Sequence, residues 1–336
     1  MSNATLSWPN IDALLGPGDE RFFGRGYRGV RYGYGPVVVE GDSPSTGLLL
    51  ARLSTGYPSN WSSKKADEKL APHLSTVDAV IVGTELAELL LTHAFNLDPS
   101  QRRRAWVRRL DIKAASSPQE DLRDLPLEAA LLDSAVLEDA DELTVSTVRC
   151  LIGSMTVTAQ VQHPTAALQW QATRMKHPDA LLGPAGRRYH GRVFASRGQR
   201  VTDVALDLQA LTARASVELT SERGSTTIPT EGFGVSHFPA PTMVDAFVVN
   251  LQLAQALLYQ LDGGDRTNSN TLWMRSTQLV ADVHKSRNSG AYVVTVALEN
   301  ARTVPVGGQI WRISDIVGEL GGVHLRCALA HQLPSS

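Results

Sequence analysis

The chain has 336 residues, 43% of them hydrophobic and 20% charged, with a formal net charge of −2 and a pI near 6.5. This is the make-up of an ordinary globular protein with material for two cores, and it gives no electrostatic footprint for nucleic acid or an anionic bilayer. Residues Met1 to Thr5 lack the basic and apolar segments of a secretion signal, and no apolar run reaches membrane-spanning length, so a cytoplasmic location and no membrane partner are expected.

In chain order, the first signals are a turn at Leu14-Leu15-Gly16-Pro17 and a glycine-rich lead-in, Arg21-Phe22-Phe23-Gly24-Arg25-Gly26-Tyr27-Arg28-Gly29. The glycine spacing superficially fits a dinucleotide-binding fingerprint, but no other feature supports one. A strand follows at Gly47 to Ser54, then an aromatic loop, Tyr57-Pro58-Ser59-Asn60-Trp61. Ser75 to Phe95 reads as a helix: Ser75 is a candidate N-cap, Asp78 stands three residues on as in a capping box, and Asp98-Pro99 ends it. It is apolar almost all round and so predicted to be buried. A Trp106-x-Arg108 strand comes next, then an acidic stretch from Ala115 to Asp141 with Ser116-Ser117-Pro118, expected as loop plus short surface helix. Val145 to Val161 returns to strand, carrying Cys150, which with Cys327 reads as a reduced core thiol.

From Leu181 the series starts again. Leu14 to about Ala114 lies on Leu181 to about Ala281 with a constant shift of 167 and no gap. Arg21 returns as Arg188, Gly24 and Arg25 as Gly191 and Arg192, Val77-Asp78-Ala79 as Val244-Asp245-Ala246, and Trp106 with Arg108 as Trp273 with Arg275. The aligned glycine and arginine point to a shared structural turn. Beyond Ala114 the shift drifts, with Pro164 facing Pro334. The second copy supplies a strand at Leu211 to Thr220, a helix from Thr242 to Leu261 ended by Gly263-Gly264, and strands at Tyr292 to Leu298 and Val323 to Ala330, with Arg302 to Ser314 in the place of the acidic stretch. A period this long is a whole domain, not a solenoid unit. The expectation is α+β: a tandem duplication of domains 1–168 and 169–336. One buried helix wrapped by an antiparallel sheet in each would make a double hot dog, with another α+β duplication as the alternative.

Asp78 and Glu85 share a helix face, and Asp245 with Gln252 repeats the arrangement. A buried carboxylate has its pKa raised and becomes a candidate acid or base; the bland reading is that each aspartate simply caps its helix. Copy differences narrow the choice: His73 and Glu85 become Ala240 and Gln252, while His237 replaces Leu70. If the site forms between halves, His73 would face Asp245, or His237 would face Asp78; either histidine would otherwise be a surface loop residue. Arg108 and Arg275, each on the strand face of its Trp, would neutralise a helix carboxylate or grip an anionic substrate group. The loop of Tyr57 and Trp61 has no counterpart, with Ser225 and Ile228 aligned to Pro58 and Trp61, and would close over an apolar ligand or cover a sheet edge.

The runs Leu15-Gly16-Pro17, Arg21-Phe22-Phe23-Gly24-Arg25-Gly26, Tyr57-Pro58-x-x-Trp61-Ser62-x-Lys64, Pro72-His73-Leu74-Ser75-Thr76-Val77-Asp78 and Val244-Asp245-Ala246-Phe247-Val248-Val249 resemble the avirulence D (AvrD) family over essentially the whole chain. The resemblance implies secondary metabolism of the syringolide type, joining a β-ketoacyl thioester to a small keto-sugar such as xylulose, with closure to a butenolide. Val77-Asp78-Ala79 and Val244-Asp245-Ala246 are also similar to the Leu-Asp-Ala that opens the hot-dog helix of acyl dehydratases, whose partner His motif is not present here. The resulting expectation is a condensing enzyme taking acyl groups from acyl carrier protein or coenzyme A. Asp78, Asp245, His73, Glu85 and His237 are its candidate catalytic residues, and Trp61, Tyr57, Arg108, Arg275 and Gln252 its candidate substrate contacts. No metal or redox cofactor is implied, and the chain would be a monomer or a homodimer. A dehydratase or thioesterase, and a non-catalytic acyl binder, are the alternatives.

Overall fold

Two long helices lie against one very wide antiparallel sheet. The computed structural model describes residues 5–333 apart from 44–45, 60, 62–70, 116, 222–227, 264–271 and 283–289. Of the positions read from the sequence, Asn60, Ser62, Lys64, Leu70, Ser116, Ser225, Gly264 and Pro334 lie outside the described residues. The first series runs β1 (Leu6–Asn10), α1 (Asp12–Leu15), β2 (Arg31–Tyr34), β3 (Val37–Glu40), β4 (Leu48–Gly56), α2 (Thr76–Phe95), α3 (Pro99–Arg104), β5 (Trp106–Lys113), β6 (Leu125–Leu137), β7 (Ala140–Ile152) and β8 (Met155–Pro164). The second runs β9 (Thr173–Met175), α4 (Asp179–Leu182), β10 (Arg197–Asp207), β11 (Thr212–Ser221), α5 (Met243–Leu261), β12 (Leu272–Ala281), β13 (Tyr292–Val306), β14 (Gln309–Leu320) and β15 (Val323–Gln332).

The long helices begin where their caps predict. Ser75 and Thr242 each accept from the backbone N–H of the aspartate three residues on, whose carboxylate accepts from the cap's own N–H. Almost every residue of α2 is buried, carboxylates included, which sets the problem that the site must solve. The helix ends at Asn96, in the left-handed region at φ 47°. Asp98, expected to stop it, instead caps α3.

Among the described strands the order is β1-β10-β11-β13-β14-β15-β12-β5-β8-β7-β6-β4-β3-β9, with β2 paired to β4. The order is palindromic about the β12–β5 pair, where Asp111 stands opposite Gln278 and accepts a hydrogen bond from it at 2.9 Å. The outer strands change sides: β1 pairs with β10, and β9 pairs with β3, Leu6 facing Leu206 as Thr173 faces Val39. A cut near residue 168 would therefore separate a pair of equivalent series that share one sheet and complete each other's edges.

Three stretches differ from expectation. Ala115 to Asp141 contains β6 and, among its described residues, no helix, because Leu125, Leu127 and Ala129 alternate onto the covered face while Pro126 and Glu128 point away. Arg302 to Ser314 is the β13–β14 hairpin, turning at Gly307 and Gly308, both with positive φ. Val145 to Val161 is two strands, broken at Gly153 and Ser154. Cys150 and Cys327 are free and buried, with thiols pushed up to about 12 by burial.

Candidate active site

The glycine-rich lead-ins aim one arginine each at the opposite helix. A Cβ at Gly24 would lie 2.3 Å from the Gly18 carbonyl oxygen, and one at Gly191 2.6 Å from that of Ala185, so both turns need glycine to close. Arg21 then donates to Gln252 of α5 at 2.7 Å and pairs with Asp12. Arg188 pairs with Glu85 of α2 and, at 2.7 Å, with Asp179. Each contact is the other's equivalent 167 residues on, but only Arg188 meets a carboxylate on the helix. Tyr34 also donates to Glu85, at 2.6 Å.

The helix aspartates are treated differently. Asp78 is 0% exposed and accepts from the Tyr32 hydroxyl at 2.6 Å, the Ser75 N–H at 2.7 Å and the Ser75 hydroxyl at 2.8 Å; the Tyr57 hydroxyl also lies on it. All four are neutral donors. Burial raises the Asp78 pKa, with the Tyr32, Tyr57 and Ser75 hydrogen bonds opposing. Asp245, also 0% exposed, makes an ion pair with Arg197 at 2.8 Å and accepts from Gln199 at 2.7 Å and from Thr242. Val30 and Tyr32 occupy the positions that correspond to Arg197 and Gln199, which is why one aspartate has a cation and the other phenols.

A cavity opens at each helix N-terminus. The larger, of about 400 Å³, is walled by Ser75 and Thr76, by Phe22, Trp61 and His73, and by Leu272, Trp273 and Met274 from β12. The smaller, of about 120 Å³, has Thr242 and Met243 at the helix end, with Tyr189, His190, His237 and, from β5, Trp106 and Val107. Each cavity thus takes a tryptophan strand from the other series, and each sits between the two. In the smaller one His190 is held neutral, pushed down to about 3 by desolvation and then by Arg188.

A family model described as the Pseudomonas avirulence D protein (AvrD) matches residues 6–334. The chain belongs to the AvrD family. No curated protein matches it. Among solved structures it is similar to an acyl-CoA thioesterase II TesB2 from Mycobacterium marinum, at 14% identity over 89% of this chain and 96% of that one with a TM-score of 0.34. It is similar also to a hot-dog-fold protein from Alicyclobacillus acidocaldarius, at 9% identity over 89% and 96% with a TM-score of 0.34. A third is the H959F variant of the PpsC dehydratase domain from Mycobacterium tuberculosis, at 14% identity over 89% and 97% with a TM-score of 0.36. Likenesses this weak carry no assignment.

In this member of the AvrD family the residues expected to be functional separate into groups. His73 and Trp61 line the larger cavity, their rings 5.9 Å apart, and Tyr57 lies behind, its hydroxyl 2.8 Å from the His73 carbonyl oxygen. His237 lines the smaller cavity, 5.3 Å from the Trp106 ring. The crossed pairs expected from the sequence do not form: each histidine stays at the N-terminus of its own helix, and the partners of Asp78 and Asp245 are hydroxyl, amide and guanidinium groups. Glu85 and Gln252 are in the arginine clamps and on neither cavity wall.

Arg108 and Arg275 reach no helix carboxylate. Each is the extra residue of a β-bulge, between Val107 and Arg109 and between Met274 and Ser276, so strict alternation with the tryptophan fails there. The guanidinium groups that do meet helix carboxylates, Arg188 and Arg197, are not among the residues expected from the sequence. Arg188 carries a signal, since it recurs with Arg21 at the fixed shift; Arg197 replaces Val30 and carries none. Tyr32 and Tyr34, two apart on β2, share a strand face, which period alone shows, but only the packing brings them to Asp78 and Glu85.

Proposed function

We propose that the chain joins a β-ketoacyl thioester to a small keto-sugar of the xylulose class in the larger cavity, with Asp78 as the base. The observation that carries this reading is that Asp78 is a buried carboxyl held by neutral donors, whereas Asp245 is already matched by a guanidinium. A carboxylate whose basicity is raised by burial takes a proton.

The cavity volume of about 400 Å³ falls within the usual small-ligand range of about 300–1,000 Å³. Its apolar walls, Phe22, Phe23, Trp61 and Met274, suit an acyl chain, and Arg21, Gln255 and Tyr259 supply polar groups for a sugar. The first N–H groups of α2 have no intrahelical acceptor and would face a thioester carbonyl as it gains charge. Asp78 is not on the cavity wall, but Ser75 is, and its hydroxyl donates to Asp78. AvrD membership and the runs on which the family is recognised favour this substrate pair. The matched contacts 167 residues apart support reading the chain as a tandem duplication, a double hot dog of residues 1–168 and 169–336, in which one of two equivalent sites kept its chemistry.

Incubation with a β-ketoacyl-coenzyme A, with and without xylulose, followed by mass spectrometry, tests the reading. A product equal to acyl plus sugar, with or without loss of water, is expected. Free acid regardless of sugar would replace condensation by thioester hydrolysis, and unchanged thioester would overturn the proposal.

A further inference from the structure

We propose that Ser75 is the nucleophile that accepts the acyl group in the larger cavity, and that Thr242 at the equivalent place is not; this rests on the acyl-thioester reading above. Ser75 is on the cavity wall, and its hydroxyl donates to Asp78 Oδ2 at 2.8 Å. The same oxygen accepts from the Ser75 N–H at 2.7 Å, so serine and carboxylate are fixed relative to one another. At the second helix the Thr242 hydroxyl makes the same bond to Asp245, at 2.9 Å, and is engaged by the Tyr189 hydroxyl at 2.8 Å as Ser75 is by Tyr57, but Asp245 is ion-paired with Arg197. Val30 stands at the position corresponding to Arg197 and offers no cation. The Ser75–Asp78 pair therefore keeps a base free of a cation, with its serine on the wall of the larger cavity.

In the step this implies, Ser75 Oγ bonds to the thioester carbonyl carbon and its proton passes to Asp78. The carbon–sulfur bond then breaks, and the departing thiolate takes that proton to leave as a thiol. The sugar hydroxyl attacks the seryl ester, gives its proton to Asp78, and the released Ser75 oxygen recovers it. The Thr76 and Val77 N–H groups, at the start of α2, are placed by their position in the first turn to stabilise the oxyanion.

The full chain is mixed with β-ketoacyl-coenzyme A without sugar, quenched in acid, digested and analysed by mass spectrometry. A hydroxylamine-labile acyl mass on the peptide that contains Ser75 is expected. It should be absent from Ser75→Asn, which retains a capping side chain but cannot form the ester, and present in Thr242→Asn. Asp78→Asn should slow its appearance by about 100-fold or more. Thioester consumption by Ser75→Asn at the wild-type rate, an adduct elsewhere, or none during turnover would overturn the role of Ser75 and leave the acyl-thioester reading standing. Failure of the wild type to consume any thioester would remove both.

Discussion

The first turns of α2 and α5 share a reciprocal capping box and an aspartate at the same position, yet the surroundings of those aspartates differ in charge. At α2 the carboxyl sees two phenols and a serine; at α5 it sees a guanidinium, an amide and a threonine. The inequality is reversed one turn and more along the helices, where Glu85 is clamped by Arg188 while Gln252 is neutral. Of these three carboxylates, Asp245 and Glu85 are matched by arginine and Asp78 is left to neutral donors. The unmatched Asp78 lies behind the larger cavity. Identical backbone devices therefore hold one aspartate against a cation and the other among neutral donors.

The largest effect should come from the aspartates themselves. Asp78→Asn is expected to lower the initial rate of product formation by about 10²–10⁴-fold, the usual loss of a general base, while Asp245→Asn stays within a few-fold. Equal losses in the two variants would erase the functional difference between the helix ends.

The arginine clamps come next. Arg188→Met leaves Glu85 buried without its cation and should cost about 3–5 kcal/mol in urea unfolding. Arg21→Met removes a hydrogen bond to neutral Gln252 and a pairing with half-exposed Asp12, and should cost about 1–3 kcal/mol. A smaller loss for Arg188 than for Arg21 would contradict the charge assignment.

Glu88 sharpens the comparison by pH. Burial pushes its carboxyl up to about 7 despite Arg188, whereas the corresponding Gln255 cannot ionise. A carboxyl raised in the folded state holds its proton after the unfolded chain has lost it, so its contribution is full below pH 4.5 and falls away as pH rises through about 7. Relative to Glu88→Gln, the wild type should therefore lose about 3 kcal/mol over that window, by the rule of about 1.4 kcal/mol per pKa unit. Denaturation midpoints at several pH values would measure it; parallel curves would mean that Glu88 ionises freely. The smallest contrast is between the thiols. Cys150 and Cys327, both buried and both pushed up to about 12, should resist a thiol reagent alike until the protein unfolds.

How far the site is legible in the sequence depends on the range of the interactions. Ser75, Asp78, Thr242 and Asp245 stand out as helix starts because a capping box closes within four residues and its chemistry is written locally. The acidic stretch before Asp141 misleads because Pro126 and the paired alanines disguise the alternation of β6. Arg108 and Arg275 mislead because a bulge adds one residue and breaks a face relation that period-2 reasoning takes for granted.

Residue order alone dictates the twofold series, the two buried helices and the place of an aspartate at the head of each, since these depend on apolar periodicity, local caps and a fixed internal shift. Which aspartate is matched by a cation is set by the packing of distant strands. Arg197 reaches Asp245 because β10 lies in one register against β11, and a slip of one residue would turn it to the other face. Arg188 reaches Glu85 across 103 residues of chain for a related reason: the glycine turn after α4 delivers it to the opposite helix. Desolvation and ion pairing act through space, so the basicity of Asp78 follows from its burial, against the opposing hydrogen bonds of the tyrosines and serine that the fold packs around it.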